Sequence, residues 1–366
     1  MEGYFPGKKY GGPPVSVDNF CSLMSADADC YIVTHNHDMK EREPYKGFKE
    51  GWNHRGNAKV MYLSDMAYCY TTFLRIVREL KPDYIYLQGL FQKCILPCLL
   101  IAKKECIKVV LAPRGELCTG AFNKKYKKLP YIWFLRIVGL LTHTQFQSTS
   151  DDETENIIHY FGTTPDRIHL LPNVPSIPHN LPAPNRKEAG VGRFIFVSRI
   201  VSKKNLLSAI QCFNGIKGRV VFDIYGPKED ENYWQKCEQA IKVLPKNVVV
   251  TYKGILLHNE VHSTFCQYDA FIFPTFSENY GHVIAEALAS GCIPIISDQT
   301  PWSDINKIGI GWALPLNNPD GFKKAIQAII DMDNKSIELA RLKIENYLSS
   351  KLRLNELKTL YHSVFK

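Results

Sequence analysis

The stretch Phe271–Pro294, FIFPTFSENYGHVIAEALASGCIP, decides how the rest of the chain is read. Ala270–Phe273 is short and uniformly apolar, as a strand buried on both faces should be. A polar loop follows with Ser277, Glu278, Asn279, Tyr280 and Gly281, and His282–Ser290 then carries a helical period. Glu278 and Glu286 stand eight residues apart, one in the loop and one inside the helix. Backbone N–H groups around Gly281, His282 and Val283 would offer an anion site at the helix N-terminus. A carboxylate just before that end can accept hydrogen bonds from the hydroxyls of a polyol. A plainer alternative fits the same letters, namely a capped amphipathic helix with Glu278 near its cap.

Working outward, the strand–loop–helix unit recurs. Short β-branched runs stand at Cys30–Thr34, Tyr84–Leu87, Val109–Leu111 and Gln145–Ser148, and again at Phe194–Val197, Val220–Tyr225, Val248–Tyr252 and Ile293–Ile296. They alternate with longer helical stretches, which predicts an α/β fold of parallel sheets flanked by helices. The proline-rich segment Val174–Gly190 reads as a linker. It separates two comparable α/β domains, 1–180 and 190–350, with 351–366 as a closing helical segment. Two such domains facing each other would open a cleft at the carboxyl ends of their sheets, where open α/β sheets bind ligands.

A second charged loop lies ahead of the first. FVSRIVSKKN, Phe196–Asn205, sets Arg199 and Lys204 five residues apart just after a strand. Two cations on one loop can neutralise a leaving group of concentrated negative charge. Taken alone, the same letters describe a solvated basic loop.

Together these segments resemble the family-4 retaining glycosyltransferases of the GT-B fold, in which two Rossmann-like domains face each other across a cleft. The family's pair of glutamates eight apart is matched by Glu278 and Glu286, inside a strand–P-T–x–x–E–x–Y–G segment that ends in E-A-L-A-x-G-x-x-P. The resemblance implies that Glu278 holds the transferred sugar and Glu286 the ribose of a nucleotide donor. Arg199 and Lys204 keep the family's spacing, although Ser198 stands where Gly is usual. Softer matches add Gly226 in IYGP, Lys253 in YKG, Gly12 in GGPP and Arg114 in APRGEL as donor contacts. Thr300–Trp302 and Gly311-Trp312 resemble a subgroup that makes bacterial surface polysaccharides. FQSTSDDETE matches the family's strand–S–x–x–E segment, a helix start capped by Ser150. The family's hydrophobic first strand has no counterpart in MEGYFPGKKY, so that strand is expected to be missing.

The resemblance implies transfer of a sugar from a nucleotide-diphosphate sugar to a hydroxyl of a glycan or lipid-linked glycan. The first domain would bind the acceptor, and the last helix would pack back on it. Two other readings stay open: a degenerate nucleotide-sugar-binding subunit, and a sugar-nucleotide 2-epimerase on the same fold.

No cofactor or metal is expected. The two D-x-D runs, Asp27–Asp29 and Asp331–Asp333, fall at a strand start and a helix end and read as turns. His35 and His37, in THNHD, have no third ligand at matching spacing, and His258 with His262 reads as a surface pair. Residues 123–141, NKKYKKLPYIWFLRIVGLL, combine lysines with aromatic and aliphatic residues, as a peripheral membrane contact requires. A basic loop entering a buried helix is the alternative. The apolar fraction of 45% and charged fraction of 22% exclude a disordered or fibrous chain. A net charge of +9 suits an anionic ligand or membrane better than nucleic acid. Eleven cysteines without a C-x-x-C pair point to reduced thiols and a cytoplasmic chain, at the inner face of the membrane if the basic segment docks there.

Overall fold

The computed structural model describes residues 1–117, 125–176, 178 and 180–365. The chain forms two compact units, Met1–Val174 with Leu354–Lys366, and Pro175–Arg353.

The first unit opens with α1 (Gly12–Leu23), β1 (Cys30–His35), β2 (Trp52–Arg55) and β3 (Ala58–Leu63). It continues through α2 (Tyr70–Leu80), β4 (Tyr84–Gln88), α3 (Ile95–Glu105) and β5 (Lys108–Ala112). α4 (Lys125–Ile137), β6 (Thr144–Ser148), α5 (Asp151–Phe161) and β7 (Ile168–Leu170) follow. Two sheets result, in the orders β1-β3-β2 and β4-β5-β6-β7. β1 and β3 are parallel, and β2 runs antiparallel to β3. A hairpin turning at Gly56-Asn57 interrupts the strand–helix rhythm read from the sequence, in a stretch for which no element was expected.

No strand is assigned before α1, yet the opening residues do the work of one. The Met1 amine donates to Val33 O, Glu2 O accepts from His35 N, and Glu2 N donates to Gln92 Oε1. Met1–Glu2 therefore runs from the edge of β1 to the loop after β4. Tyr4 and Phe5 are buried with Val60 and Val110.

The second unit contains β8 (Val191–Val197), α6 (Leu206–Gln211), β9 (Arg219–Tyr225), α7 (Glu231–Lys242) and β10 (Val248–Gly254). It continues with α8 (Val261–Phe265), β11 (Ala270–Phe273), α9 (His282–Ala289), β12 (Ile293–Ser297), α10 (Ile305–Ile308) and β13 (Trp312–Leu314). α11 (Pro319–Asp331) and α12 (Asn334–Leu352) complete it, while α13 (Leu354–Val364) belongs to the first unit. The sheet order β10-β9-β8-β11-β12-β13 is parallel throughout and is that of a doubly wound nucleotide-binding fold. β11 and β12 are buried along their whole length, as their apolar runs require.

In this order the chain runs outward one way from β8 to β10 and the other way from β11 to β13. The crevice at the carboxyl ends of β8 and β11 is the topological switch point, where such sheets bind ligands. Among the described residues no helix is long and apolar enough to cross a membrane.

Candidate functional site

Both charged loops singled out in the sequence leave the sheet at this switch point. After β8 the chain turns through a short 3₁₀ segment, Ser202–Lys204, and Asn205 adopts a left-handed φ of 56°. After β11 the loop runs to Gly281, which caps α9 at a φ of 76° without a side-chain hydrogen bond. The two loops are tied directly to each other. Asn205 Nδ2 donates to Pro274 O at 2.9 Å, and Phe276 N donates to Lys203 O at 3.0 Å.

This tie brings Lys204 Nζ onto Glu278 Oε1 in a nearly buried ion pair. Burial pushes the Lys204 ammonium below the usual lysine range, opposed by the charge and hydrogen bond of Glu278 and reinforced by Arg199. Arg199 is more exposed and pairs with Glu229 at 3.1 Å. Glu229, from the loop after β9, is a participant the sequence did not reveal, because pairing across 30 residues leaves no local signal.

Glu286 lies on α9 and is buried. With no cation paired to it among the described residues, burial alone pushes its carboxyl up to about 7. Tyr280 is raised first by its own burial and then by the charge of Glu286, so the two are neighbours. Trp302 is buried beneath this loop and donates from Nε1 to Tyr280 O at 2.6 Å. The TPW segment thus supports the loop from below. Tyr280 and His282 meet edge to face at 4.7 Å. The N–H groups of Gly281, His282 and Val283 lie at the start of α9, and Glu278 N donates to Gln299 O. Asn279 sits in the same loop.

The remaining sites differ more. Gly226 has a φ of 140°, and a Cβ there would stand 1.8 Å from Ser198 O. Its first requirement is that close approach of β9's end to β8's end. Lys253, at the end of β10, pairs with Asp223 at 3.7 Å, and Tyr252 Oη donates to Gly226 O. In the first unit, Gly12 begins α1 after Gly11 at a φ of 69°. Arg114, at a φ of 56°, donates to Gln88 Oε1, Asn173 Oδ1 and Tyr86 Oη, so its guanidinium is engaged by its own unit. Glu116, two residues on, accepts from Leu90 N and Phe91 N. Ser150 does cap α5, accepting from Glu153 N.

Two expectations are corrected. His262 is no surface residue: it lies between Ser290 Oγ and Ser176 Oγ, each at 2.9 Å, and burial lowers it to about 4. The D-x-D runs are more than turns, since Asp333 caps α12 and Asp27 holds Lys358 and His362 of α13.

Comparison with known proteins bears on the fold. Residues 180–346 match the family described as Glycosyl transferases group 1. The GtfA subunit of the UDP-N-acetylglucosamine–peptide N-acetylglucosaminyltransferase of Streptococcus agalactiae is 26% identical over 185 residues. That match covers 48% of this chain and 35% of the relative, so the chain spans about a third of that protein's length. Among solved structures, Anabaena HepE in complex with UDP and glucose superposes with a TM-score of 0.69 at 11% identity, over 99% of this chain and 97% of that one. WaaG, a glycosyltransferase involved in lipopolysaccharide biosynthesis, gives 0.64 at 12% identity, over 100% and 98%. At such identities the likeness is one of fold. Residues 180–346 thus match the glycosyl transferases group 1 family, in a chain with the fold of the GT-B glycosyltransferases.

Proposed function

We propose that the chain is a retaining glycosyltransferase. It would move a sugar from a nucleotide-diphosphate sugar to a hydroxyl of a glycan or lipid-linked glycan, without a metal, in the making of surface polysaccharide. The observation that carries this reading is the Lys204–Glu278 pair at the switch point, beside the N-terminus of α9 and the second cation, Arg199. A cation and a carboxylate held side by side can receive the two halves of such a donor. The ammonium faces the diphosphate, and the carboxylate accepts from the sugar hydroxyls.

Charge bookkeeping follows the same geometry. As the bond from sugar to phosphate breaks, negative charge grows on the diphosphate. Lys204, Arg199 and the start of α9 would stabilise it. The acceptor hydroxyl attacks from the face the diphosphate leaves, and a leaving-group oxygen takes its proton. Glu278 orients the sugar and Glu286 holds the ribose. Gly226, Lys253, Asn279, Tyr280, Gly281, His282 and Val283 frame the donor within the same unit, and Gly12 and Arg114 are proposed contacts from the first unit.

UDP is the first nucleotide to try, because the streptococcal relative is named for a UDP-sugar and HepE was solved with UDP. Thermal stabilisation would be compared for UDP, GDP, ADP and CMP in EDTA. One diphosphate should raise the melting temperature, and an Arg199→Ala/Lys204→Ala variant should lose the shift. No shift with any nucleotide would end the donor-site reading. A shift without transfer to any glycan acceptor would favour a nucleotide-sugar-binding subunit.

A peripheral membrane contact, at the inner face of the cytoplasmic membrane, is part of the proposal. On α4 and just beyond it, Tyr126, Trp133, Phe134, Ile137 and Val138 are exposed. Residues 123 and 124 lie outside the described residues, as do the side chains of Lys125 and Lys127. An apolar face on a helix that follows a lysine-rich stretch is what an anionic interface attracts.

A further inference from the structure

His35 ends β1, His37 lies two residues on, and Asp65 follows β3. Because β1 and β3 are parallel neighbours with His35 paired to Leu63, their carboxyl ends place all three side chains together. The sequence offered no third ligand near the two histidines, and the sheet supplies one 28 residues away. His37 Nε2 lies 3.2 Å from Asp65 Oδ1, and His35 Nδ1 lies 3.3 Å from the same oxygen. The three ligand atoms all fall within 4.8 Å of one another.

The protons do not account for this arrangement simply. His37 Nδ1 is 3.0 Å from Asp38 O, which accepts only, so the ring proton of a neutral His37 sits on Nδ1. Its Nε2 then turns a lone pair toward a carboxylate oxygen that also only accepts. His35 Nδ1 is buried and has no hydrogen-bond partner, although it faces that same oxygen. A second proton would pair His37 with Asp65 but would leave His35 Nδ1 without a partner.

The spacing also suits a metal ion, which would serve His35 Nδ1 as well as His37 and Asp65. Metal–ligand bonds of about 2.0–2.1 Å at tetrahedral angles give a ligand-to-ligand edge of about 3.3 Å. Both nitrogen-to-oxygen separations have that length. The His37 Nδ1 bond to a backbone carbonyl is the outer-shell contact that orients a ligating imidazole. His35 is stacked on Tyr68 at 3.9 Å between ring centres, which fixes its plane. Asp65 is largely exposed, so a fourth position opens to solvent.

We infer that His35, His37 and Asp65 form a binding site for a divalent transition metal of the zinc class, with one position left to water. The ion would fasten the loop after β1 to the end of β3. It lies in the first unit and takes no part in the donor chemistry proposed for the second.

The test uses the full chain without a histidine tag, stripped of metal and titrated with Co²⁺ and with Zn²⁺. One equivalent should bind, with visible ligand-field bands of a tetrahedral cobalt ion and no thiolate-to-cobalt charge-transfer band. Zn²⁺ should displace it and raise the melting temperature. Asp65→Asn lies at a largely exposed side chain and His37→Gln keeps a polar group of similar reach, so both should fold as the parent does without metal. Each should weaken binding by at least about 10-fold. Absence of stoichiometric binding would overturn the inference. So would binding that survives both variants, or binding that shows thiolate bands, which would place the ion on cysteines. The nucleotide shift in EDTA is a separate readout, so failure here and failure of the donor site are distinguishable.

Discussion

Lys204 and Glu278 illustrate how a single residue pair acquires meaning from its surroundings. Each is nearly buried, and removing one leaves the other as an uncompensated charge. Lys204→Ala should therefore lower kcat by about 10²–10³-fold if its ammonium receives the leaving diphosphate, as loss of one preorganised donor does elsewhere. Initial-rate measurements with the nucleotide sugar identified by thermal shift would check this, and an unchanged kcat would remove Lys204 from the chemistry. Arg199→Ala should cost less, because its guanidinium is more exposed and already shared with Glu229. Glu286 carries a pH signature. Its folded value of about 7 lies above its ordinary 4.5, so between these pH values the folded chain holds a proton that the unfolded chain has lost. Stability must fall as pH rises through that window, by something on the order of 3 kcal/mol once the carboxyl is fully ionised. Glu286→Gln should melt higher than the parent at pH 8 and show no such gain near pH 4. Equal melting differences at both pH values would contradict the assignment.

At the scale of elements, loops matter through the strands that aim them. Gly226 is needed where the end of β9 crosses the end of β8, with φ at 140° and Ser198 O in the place of a Cβ. Gly226→Ala should displace the Arg199–Lys204 loop or fail to fold, since the atom in the way is backbone. Circular dichroism would separate the two outcomes. A folded variant should have lost nucleotide stabilisation, and one that folds and binds normally would show that this approach is dispensable. The β2–β3 hairpin marks where the elements escaped the sequence reading. Ala58–Leu63 is interrupted by Lys59 and lies next to a short polar strand, so its letters alone did not mark it. α9 was legible almost to the residue, because a loop glycine and an apolar helical period mark its ends.

For the whole molecule, the chain's end decides how the first unit closes. Tyr361 of α13 is buried, accepts from Gln147 Nε2 at 3.0 Å and donates to Pro172 O at 3.1 Å. Tyr361→Ala should cost about 3–5 kcal/mol of the first unit's stability, whereas Tyr361→Phe should cost about 1 kcal/mol. Denaturant unfolding followed by hydrogen exchange in each unit would show whether the loss stays in the first one. The exposed face of α4 makes a further prediction. Trp133→Ser with Phe134→Ser should abolish co-sedimentation with anionic lipid vesicles while nucleotide stabilisation persists. Retained sedimentation would remove the membrane from the proposal.

A family resemblance singled out Glu278, Glu286, Arg199 and Lys204 as candidate site residues, while the sequence by itself determined the fold class and the strands that each charged loop follows. These rest on local periodicity and spacing, which a strand or helix writes directly into the chain. Only the tertiary structure decided who meets whom. It joined Lys204 to Glu278 across 74 residues, gave Arg199 to Glu229 and engaged Arg114 within its own unit. It also drew His262 inward and set Asp65 beside His35 and His37. The physical reason is the parallel sheet. Residues distant in sequence become neighbours at the carboxyl ends of adjacent strands, and strand order, which no local pattern encodes, chooses which ends are adjacent.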